Sequence, residues 1–259
     1  MSDMGVLQSL AVPGALAFGL AVSQDGRRWA WGGCVGCAPN VGHMRARIYA
    51  GGIDIPDKLV LDEPSANPVL IPIGYTPRGI VVARTATGIG GCCYIPPEAG
   101  HRDVLVVDPT TFQISQSLNG CNAAYTSPQG SFVCTSTPPM TVHLADGSTR
   151  SVAAGGGWVH VDDSHGRVVF TLIHSRGQGD GGCPCKIGVE AAPLDGGSVT
   201  VLADQMTLDD VLPDGGIVAA TAPVLPGQGA LADWIVRTDG TRVQLDQAGG
   251  PFVAVLPLT

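Results

Sequence analysis

The stretch Gly19-Leu-Ala-Val-Ser-Gln-Asp-Gly26, followed after one residue by Arg28-Trp-Ala-Trp31, joins two apolar runs through a short polar turn. A glycine at the end of such a turn supplies the positive φ that a tight hairpin requires. The stretch therefore predicts a β-hairpin. The same arrangement occurs four more times in the 259 residues, over 73–83, 124–134, 159–170 and 208–219.

A second hairpin is predicted after each of these five. The paired segments are 45–49 with 58–61, 104–107 with 112–115, 141–144 with 149–152, 187–190 with 198–202, and 234–237 with 241–245. Each unit then has four strands, a to d, and the a–b turns recur at spacings of 36 to 53 residues. Four antiparallel strands per unit of roughly 40–50 residues are typical of a β-propeller blade.

The a–b turns resemble the S-P-D-G-type repeat of TolB-like and other WD40-like propellers. The nearest copies are Ser23-Gln-Asp-Gly26 and Leu212-Pro-Asp-Gly215, and Ser127-Pro-Gln-Gly130 keeps three of the four residues. The copies at 76–79 and 164–166 are degenerate, and no W-D signature is present. The resemblance covers about 19–246 and implies the fold, but not a function, because propellers serve as scaffolds, receptors and enzymes.

We therefore predict an all-β chain that forms a single β-propeller domain over 1–259. Five full four-stranded blades are expected at about 19–63, 70–118, 123–153, 158–203 and 207–246. The terminal segments 4–12 and 251–258 are expected to close the ring as a partial blade, which makes the propeller five- or six-bladed. The alternative is that another chain completes this blade.

The charge and the hydrophobic pattern of the chain argue against a nucleic-acid partner and against a membrane span. The net charge is −8, and Lys58 and Lys186 are the only lysines. Nucleic-acid binding requires a concentrated basic surface, so no nucleic-acid partner is expected. No run approaches the ~18 apolar residues of a membrane span. The apolar segment 10–22 follows Asp3 without a preceding basic residue, which disfavours a Sec signal.

Eight cysteines are predicted to lie on one face of the propeller in four consecutive units, seven of them in b–c or d–a loops and Cys134 at the end of strand b of the third unit. They are Cys34, Cys37, Cys92, Cys93, Cys121, Cys134, Cys183 and Cys185. The preferred interpretation is that disulfides staple these glycine-rich loops. If Ala123 faces Cys134 in the hairpin, then Cys121 lies diagonally within reach of a bridge to Cys134.

The same loops allow a metal site, although no cofactor is the preferred expectation. The alternative ligands for zinc or an iron–sulfur centre are Cys34, Cys37, His43, His101 and His174. Only Cys34 and Cys37 have the C-x₂-C spacing, so the metal interpretation ranks second.

No catalytic motif is found, and the weak catalytic candidates are His160 and Asp209. They stand at equivalent offsets before their turns in adjacent units, so they are expected to face each other near the central channel. Such a pair is able to act as a base and its orienting carboxylate, but a structural hydrogen bond is the preferred interpretation.

The function favoured by these observations is a non-enzymatic interaction module whose stapled loop face binds a protein or surface partner. Disulfides without a Sec signal suit a particle component such as a phage virion or tail protein, located in a virion or outside the cell. A cytoplasmic location is the alternative. The alternative function is a metal-binding or hydrolytic propeller enzyme that uses the Cys/His loops or the site of His160 and Asp209.

Overall fold

The computed structural model describes residues 16–35, 44–65, 69–85, 101–135, 138–173, 187–221 and 232–245. These residues form β-strands and one turn of 3-10 helix, Asp163–His165. The strands are β1 (Leu16–Val22), β2 (Arg28–Val35), β3 (Met44–Gly52), β4 (Ile55–Ser65), β5 (Val69–Thr76), β6 (Gly79–Thr85), β7 (His101–Val107), β8 (Ile114–Asn119), β9 (Phe132–Thr135), β10 (Met140–His143), β11 (Thr149–Val152), β12 (Gly157–Asp162), β13 (Arg167–Ile173), β14 (Ile187–Pro193), β15 (Thr200–Asp204), β16 (Met206–Val211), β17 (Ile217–Thr221), β18 (Asp233–Val236) and β19 (Arg242–Gln244).

These strands form five antiparallel sheets, and in each sheet the strands follow one another in chain order. Blade 1 is β1–β4, blade 2 is β5–β8, blade 4 is β12–β15 and blade 5 is β16–β19. Blade 3 contains β9–β11, and an isolated bridge between Thr126 and Phe132 stands where its first strand would be. The chain is thus a β-propeller, as its repeats predict. The closing segments 4–12 and 251–258 lie outside the described residues.

The polar turns explain why the repeat has its sequence. Gly26 and Gly215 adopt φ of 68° and 84°, a region that residues with a Cβ rarely occupy. The preceding aspartate accepts a backbone hydrogen bond in both turns, from Arg27 N to Asp25 Oδ1 and from Gly216 N to Asp214 Oδ1, each at 3.0 Å. The Asp-Gly pair therefore fixes the turn through both its side chain and its backbone.

The central part of strand b is apolar without alternation in blades 2 and 4 because both of its faces are buried. In β6, Ile80 and Val82 pack with blade 1, whereas Val81 packs with blade 3. In β13, Phe170 packs with blade 3 and Val169 packs with blade 5. The core consequently consists of layers between neighbouring blades, which is the packing expected when sheets stack face to face.

Two local expectations require correction. Phe112 is in the c–d turn of blade 2, with a φ of 61°, and strand d begins at Ile114 instead of at 112. In blade 3, the backbone N–H of Asn122 donates to the Cys134 carbonyl at 2.7 Å, so Asn122 instead of Ala123 lies opposite Cys134. The chain leaves the regular ladder between this contact and the Thr126 bridge, which hairpin register alone does not anticipate.

Candidate functional site

The innermost strands of four blades share an irregularity at the same place. The pairing register shifts between Phe18 and Leu20, between Pro72 and Gly74, between Gly157 and His160, and between Leu208 and Asp210. A bulge inserts an extra residue and redirects the side chains next to it, and bulges are enriched near active sites. Because the first strand of each blade borders the central channel of a propeller, the bulges surround the channel.

His160 follows the bulge of blade 4 and is buried against two neighbouring blades. Its ring stacks on Tyr125 of blade 3, with centroids 4.3 Å apart and an interplanar angle of 22°. Its Nδ1 lies 3.7 Å from Oδ1 of Asp210 in blade 5. Burial lowers the pKa of His160 from its usual 6.5, and the charge of Asp210 opposes this shift less strongly. The imidazole is therefore neutral at physiological pH.

Asp209 is the bulged residue of blade 5, so it is not the carboxylate nearest to His160. The register passes from the Leu208–Ala219 pair to the Asp210–Val218 pair, which leaves Asp209 between them without a partner in the ladder. Burial, aided by the charges of Asp233 and Asp210, raises the pKa of Asp209 from 3.8 to about 6. The structure thus brings His160 close to Asp210, where equivalent offsets predict Asp209.

The geometry is not that of an assembled catalytic pair. A separation of 3.7 Å is too long for a hydrogen bond between His160 Nδ1 and Asp210. His160 Nε2 is buried and has no hydrogen-bond partner among the residues described. What the site offers is a neutral, stacked imidazole near Asp210, and next to Asp210 in the sequence a carboxyl group, Asp209, whose pKa is raised to about 6.

Sequence reasoning missed a second cluster, which joins the turns of blades 3 and 4. The buried hydroxyls of Ser127 and Ser131 both donate to the Asp163 carboxylate, the latter at 2.5 Å to Oδ1. Ser131 Oγ also accepts the backbone N–H of Ala145 at 2.8 Å. The nearest signal in the sequence is the Ser127–Gly130 copy of the turn motif, which does not reveal the partner on the next blade.

The neighbouring turn of blade 4 is linked to blade 5 in a similar way. Buried Asp162 accepts hydrogen bonds from the Arg167 Nε and the His165 backbone N–H, at 2.9 and 3.2 Å, and contacts His165 Nδ1 at 2.9 Å. Arg167 Nη2 then donates to the Gly215 carbonyl at 2.6 Å. These polar groups link neighbouring blades, and their hydrogen-bonding atoms already have partners within the protein. We therefore assign them a structural role in the propeller.

Among the predicted disulfide residues, the structure joins Cys121 to Cys134, whose Cα atoms are 4.4 Å apart. Cys34 lies in β2, in register with Ala46, and His101 begins β7. The remaining residues of the disulfide and metal hypotheses lie outside the described residues: Cys37, Cys92, Cys93, Cys183, Cys185, His43 and His174. Within the described ranges, no group of three or more His, Cys, Asp or Glu side chains has the arrangement of a metal site.

The outer rim of the propeller carries most of the exposed large apolar side chains. Of the nine within the described ranges, only Leu20 and Trp158 belong to innermost strands. The other seven lie on outermost strands or beside c–d turns: Ile53, Leu59, Phe112, Ile114, Val199, Val201 and Val243. They occur on blades 1, 2, 4 and 5, whereas strand β11 of blade 3 exposes only Thr149, Arg150 and Ser151.

Comparisons with known proteins identify the fold but not a family. No protein-family model matches the chain, and no curated protein sequence matches it. Kuenenia stuttgartiensis hydrazine synthase is similar in structure, with a TM-score of 0.51 and 17% identity, over 94% of this chain and 70% of that one. At this identity the likeness shows the fold alone.

Two further solved structures match with lower scores. The β-propeller domain of the trilobed protease from Pyrococcus furiosus has a TM-score of 0.43 and 13% identity, over 93% of this chain and 86% of that one. An oligogalacturonate lyase in complex with manganese has a TM-score of 0.47 and 13% identity, over 87% and 63%. The fold assignment rests on the five sheets and on the first match. No helix among the described residues has the length and apolar character needed to cross a membrane.

Proposed function

We propose that the chain is a non-enzymatic interaction module that binds a protein partner through its outer rim. The observation that carries the proposal is the set of seven exposed apolar side chains on outermost strands and c–d turns. Val201 on β15 is 64% exposed and Leu59 on β4 is 42% exposed. Scattered apolar residues are ordinary on protein surfaces, but their concentration on one part of a molecule favours a contact surface.

The outermost strands are suited to such a contact because each one leaves a backbone edge unpaired. Proteins usually protect such edges with charged side chains or proline. Blade 4 instead presents Val199 and Val201 beside its free edge. A partner that pairs with this edge would gain backbone hydrogen bonds and would bury these side chains.

We extend the proposal to location: the chain acts outside a reducing cytosol, as a component of a virion or a phage tail. The support is the Cys121–Cys134 disulfide, because disulfides persist in oxidising surroundings. Mass analysis after alkylation of the denatured, unreduced protein tests this extension. Addition of eight alkyl groups would overturn it, and the zinc or iron–sulfur hypothesis would then be examined by metal analysis.

Site-specific photo-crosslinking in the native host tests the rim itself. A photoreactive amino acid at Val201 or Ile114 is expected to capture one dominant protein, identified by mass spectrometry. Arg150, on the outermost strand of blade 3, is the matched control, because that strand exposes no large apolar side chain. Equal capture of many proteins from all three positions would contradict a specific rim contact.

A second candidate function, acid–base catalysis at the channel, is favoured by two groups. Asp209 titrates near pH 6, and His160 Nε2 is buried without a partner among the described residues. Such perturbed groups are enriched at active sites. If a panel of chromogenic esters and glycosides is hydrolysed, His160→Gln should abolish the activity and His165→Gln should retain it.

A further inference from the structure

A cavity of about 300 Å³ opens between blades 1 and 2, on the face formed by the a–b and c–d turns. One wall is the c–d hairpin of blade 1, which contributes Gly51, Ile55 and Lys58. The opposite wall is the c–d turn of blade 2, which contributes Phe112. The cavity therefore lies between two rigid hairpins, and its volume is at the lower end of the range for small-ligand sites.

Two cationic side chains line the cavity, although the whole chain carries a net charge of −8. Arg28 and Lys58 line it, and no carboxylate does. Lys58 is exposed and makes no ion pair with any described residue. Arg28 lies close enough to Tyr75 for its positive charge to oppose the rise that burial causes in the pKa of the Tyr75 hydroxyl group.

The nearest acidic residues in the sequence have other partners. Asp57, next to Lys58, accepts hydrogen bonds from the indole N–H groups of Trp29 and Trp31, at 2.9 and 2.7 Å. Asp108, at the start of the blade 2 turn, accepts two backbone N–H groups of that turn, at 2.7 and 2.8 Å. Hydrogen bonds from neutral donors leave the negative charges of Asp57 and Asp108 in place, and the charge of Asp25 acts on Tyr75. These carboxylates therefore offset part of the positive charge of Arg28 and Lys58, although none of them lines the cavity.

The backbone of blade 1 makes room for Arg28. A Cβ at Gly52 would lie 3.0 Å from Arg28 Cδ and 2.8 Å from the Arg27 carbonyl oxygen. The contact with the Arg27 carbonyl oxygen is too close for an unstrained Cβ, so a larger residue at position 52 would shift the backbone or the Arg28 side chain, whereas glycine leaves both in place. The position of the cation is therefore built into the hairpin.

Two aromatic rings supply the apolar part of the cavity. Tyr75 is partly buried at the end of β5, and Phe112 is 36% exposed at the rim. Phe112 has a φ of 61°, a backbone conformation that is unfavourable for a bulky residue and persists where the surrounding structure enforces it. Phe112 is not part of the buried core clusters, and its partly exposed ring lines the cavity.

We propose that this cavity binds a carboxylate attached to an aromatic or other apolar group, with the carboxylate between Arg28 and Lys58 and the apolar group against Tyr75 and Phe112. Arginine and lysine bind carboxylates through charge-assisted hydrogen bonds, and aromatic rings favour offset or edge contacts with one another. A free aromatic acid and an acidic side chain beside an aromatic residue in a peptide present this same chemistry. The site shares Phe112 with the outer rim, but Arg28, Lys58 and Tyr75 are not among the seven rim side chains, so binding of a small acid is tested apart from the protein contact.

A titration followed by amide NMR spectroscopy tests the proposal with defined probes. Phenylacetate represents the free acid, the peptide acetyl-Glu-Phe-amide represents the peptide source, and 2-phenylethanol is the uncharged control. We expect phenylacetate, the peptide or both to shift the amide signals of Gly51 and Gly52, and 2-phenylethanol to have little effect. The probe that binds identifies the source. Absence of shifts with both acids, or equal shifts with the alcohol, would overturn the proposal.

Two variants locate the binding. Lys58→Gln should weaken the affinity for the acid about tenfold, as expected for loss of one charge-assisted hydrogen bond. Arg242→Gln, an exposed cation on the outermost strand of blade 5, should change it less than twofold. Phe112→Gly removes the aromatic ring at a φ that glycine adopts freely, so the protein should fold at least as well and bind more weakly. Unchanged affinity in both cavity variants would contradict the site.

Discussion

Blades 3 and 4 are neighbours in the ring, but they are completed in different ways. Blade 4 has four strands, and its innermost strand β12 pairs with β13 along most of its length. Blade 3 has three strands, and only the Thr126–Phe132 bridge stands in the place of the fourth. Both blades nevertheless bury a phenylalanine side chain fully, with Phe132 and Phe170 each 1% exposed.

The missing strand of blade 3 is replaced by two cross-links. The Cys121–Cys134 disulfide ties the entering segment to β9. The hydroxyls of Ser127 and Ser131 then anchor the turn to Asp163 of blade 4. The comparison shows that cross-links which hold the innermost segment in place can substitute for the regular backbone hydrogen bonds of an innermost strand.

The strongest test of this equivalence compares the two phenylalanines. Phe170→Ala and Phe132→Ala should each lower the free energy of unfolding by about 3–5 kcal/mol, because each removes a buried ring from a packed layer. Urea denaturation measures both values. A clearly smaller loss for Phe132→Ala would show that blade 3 is packed less firmly than blade 4 and would break the comparison.

The contact between the blades should be the next largest contribution. Asp163→Ala leaves two buried hydroxyl donors without their charged acceptor and should lower the free energy of unfolding by about 2–4 kcal/mol. Asp146→Ala is the matched control, because Asp146 accepts a backbone hydrogen bond in an exposed turn of blade 3. Equal losses in the two variants would mean that Asp163 acts only within its own turn.

Removal of the disulfide should affect blade 3 selectively. The double variant Cys121→Ala and Cys134→Ala should lower the free energy of unfolding by about 2–3 kcal/mol, since the bridge closes a loop of 13 residues. Hydrogen exchange should accelerate over 121–135 and remain slow over 157–173 of blade 4. Faster exchange in both segments would show that the disulfide supports the ring as a whole.

The smallest effect concerns the channel side of blade 5, where blade 3 has Ala124 at the position equivalent to Asp209. The pKa of Asp209 is raised to about 6, so its contribution favours folding at low pH and is lost as the pH rises through about 6. Asp209→Asn should therefore stabilise the protein by about 1 kcal/mol at pH 8, a value reduced for solvent screening of this half-exposed group.

At pH 4.5 the same variant should have little effect, because the carboxyl group is then mostly protonated in the folded state. Urea denaturation at the two pH values gives the difference. Asp195→Asn, at an exposed turn of blade 4, controls for the substitution itself. A stabilisation that is the same at both pH values would contradict the raised pKa.

The hairpin plan could be predicted because its signals are local. Glycines such as Gly26 and Gly215 mark the turns, and the apolar runs between them mark strands buried on both faces. The Cys121–Cys134 bridge could also be anticipated, because both cysteines belong to one hairpin. In these cases the residues that determine the structure are close together in the sequence.

The candidate site was predicted less well because it depends on contacts between blades. The bulge at Asp209 displaces the register by one residue and places Asp210 near His160. The Asp163 contact joins serines that are 36 and 32 residues away. The cavity beside Arg28 is completed by Phe112, which comes from a different blade. The spacing of residues within one repeat does not predict these contacts between blades.

The aligned bulges give the ring a capacity for change. The residues within them are chemically unlike: Gly19, Ile73, Trp158 and Asp209. A bulged residue lies outside the ladder, so the hydrogen bonds of the sheet do not require a particular side chain there. Gly19 is more constrained than the other three, because it has a φ of 71° and a Cβ there would lie 2.8 Å from Ile71 Cγ2. Four of the five blades thus have a position beside the channel where the side chain can differ while the sheet stays the same. Selection acting there can diversify the channel one residue at a time while the frame stays the same.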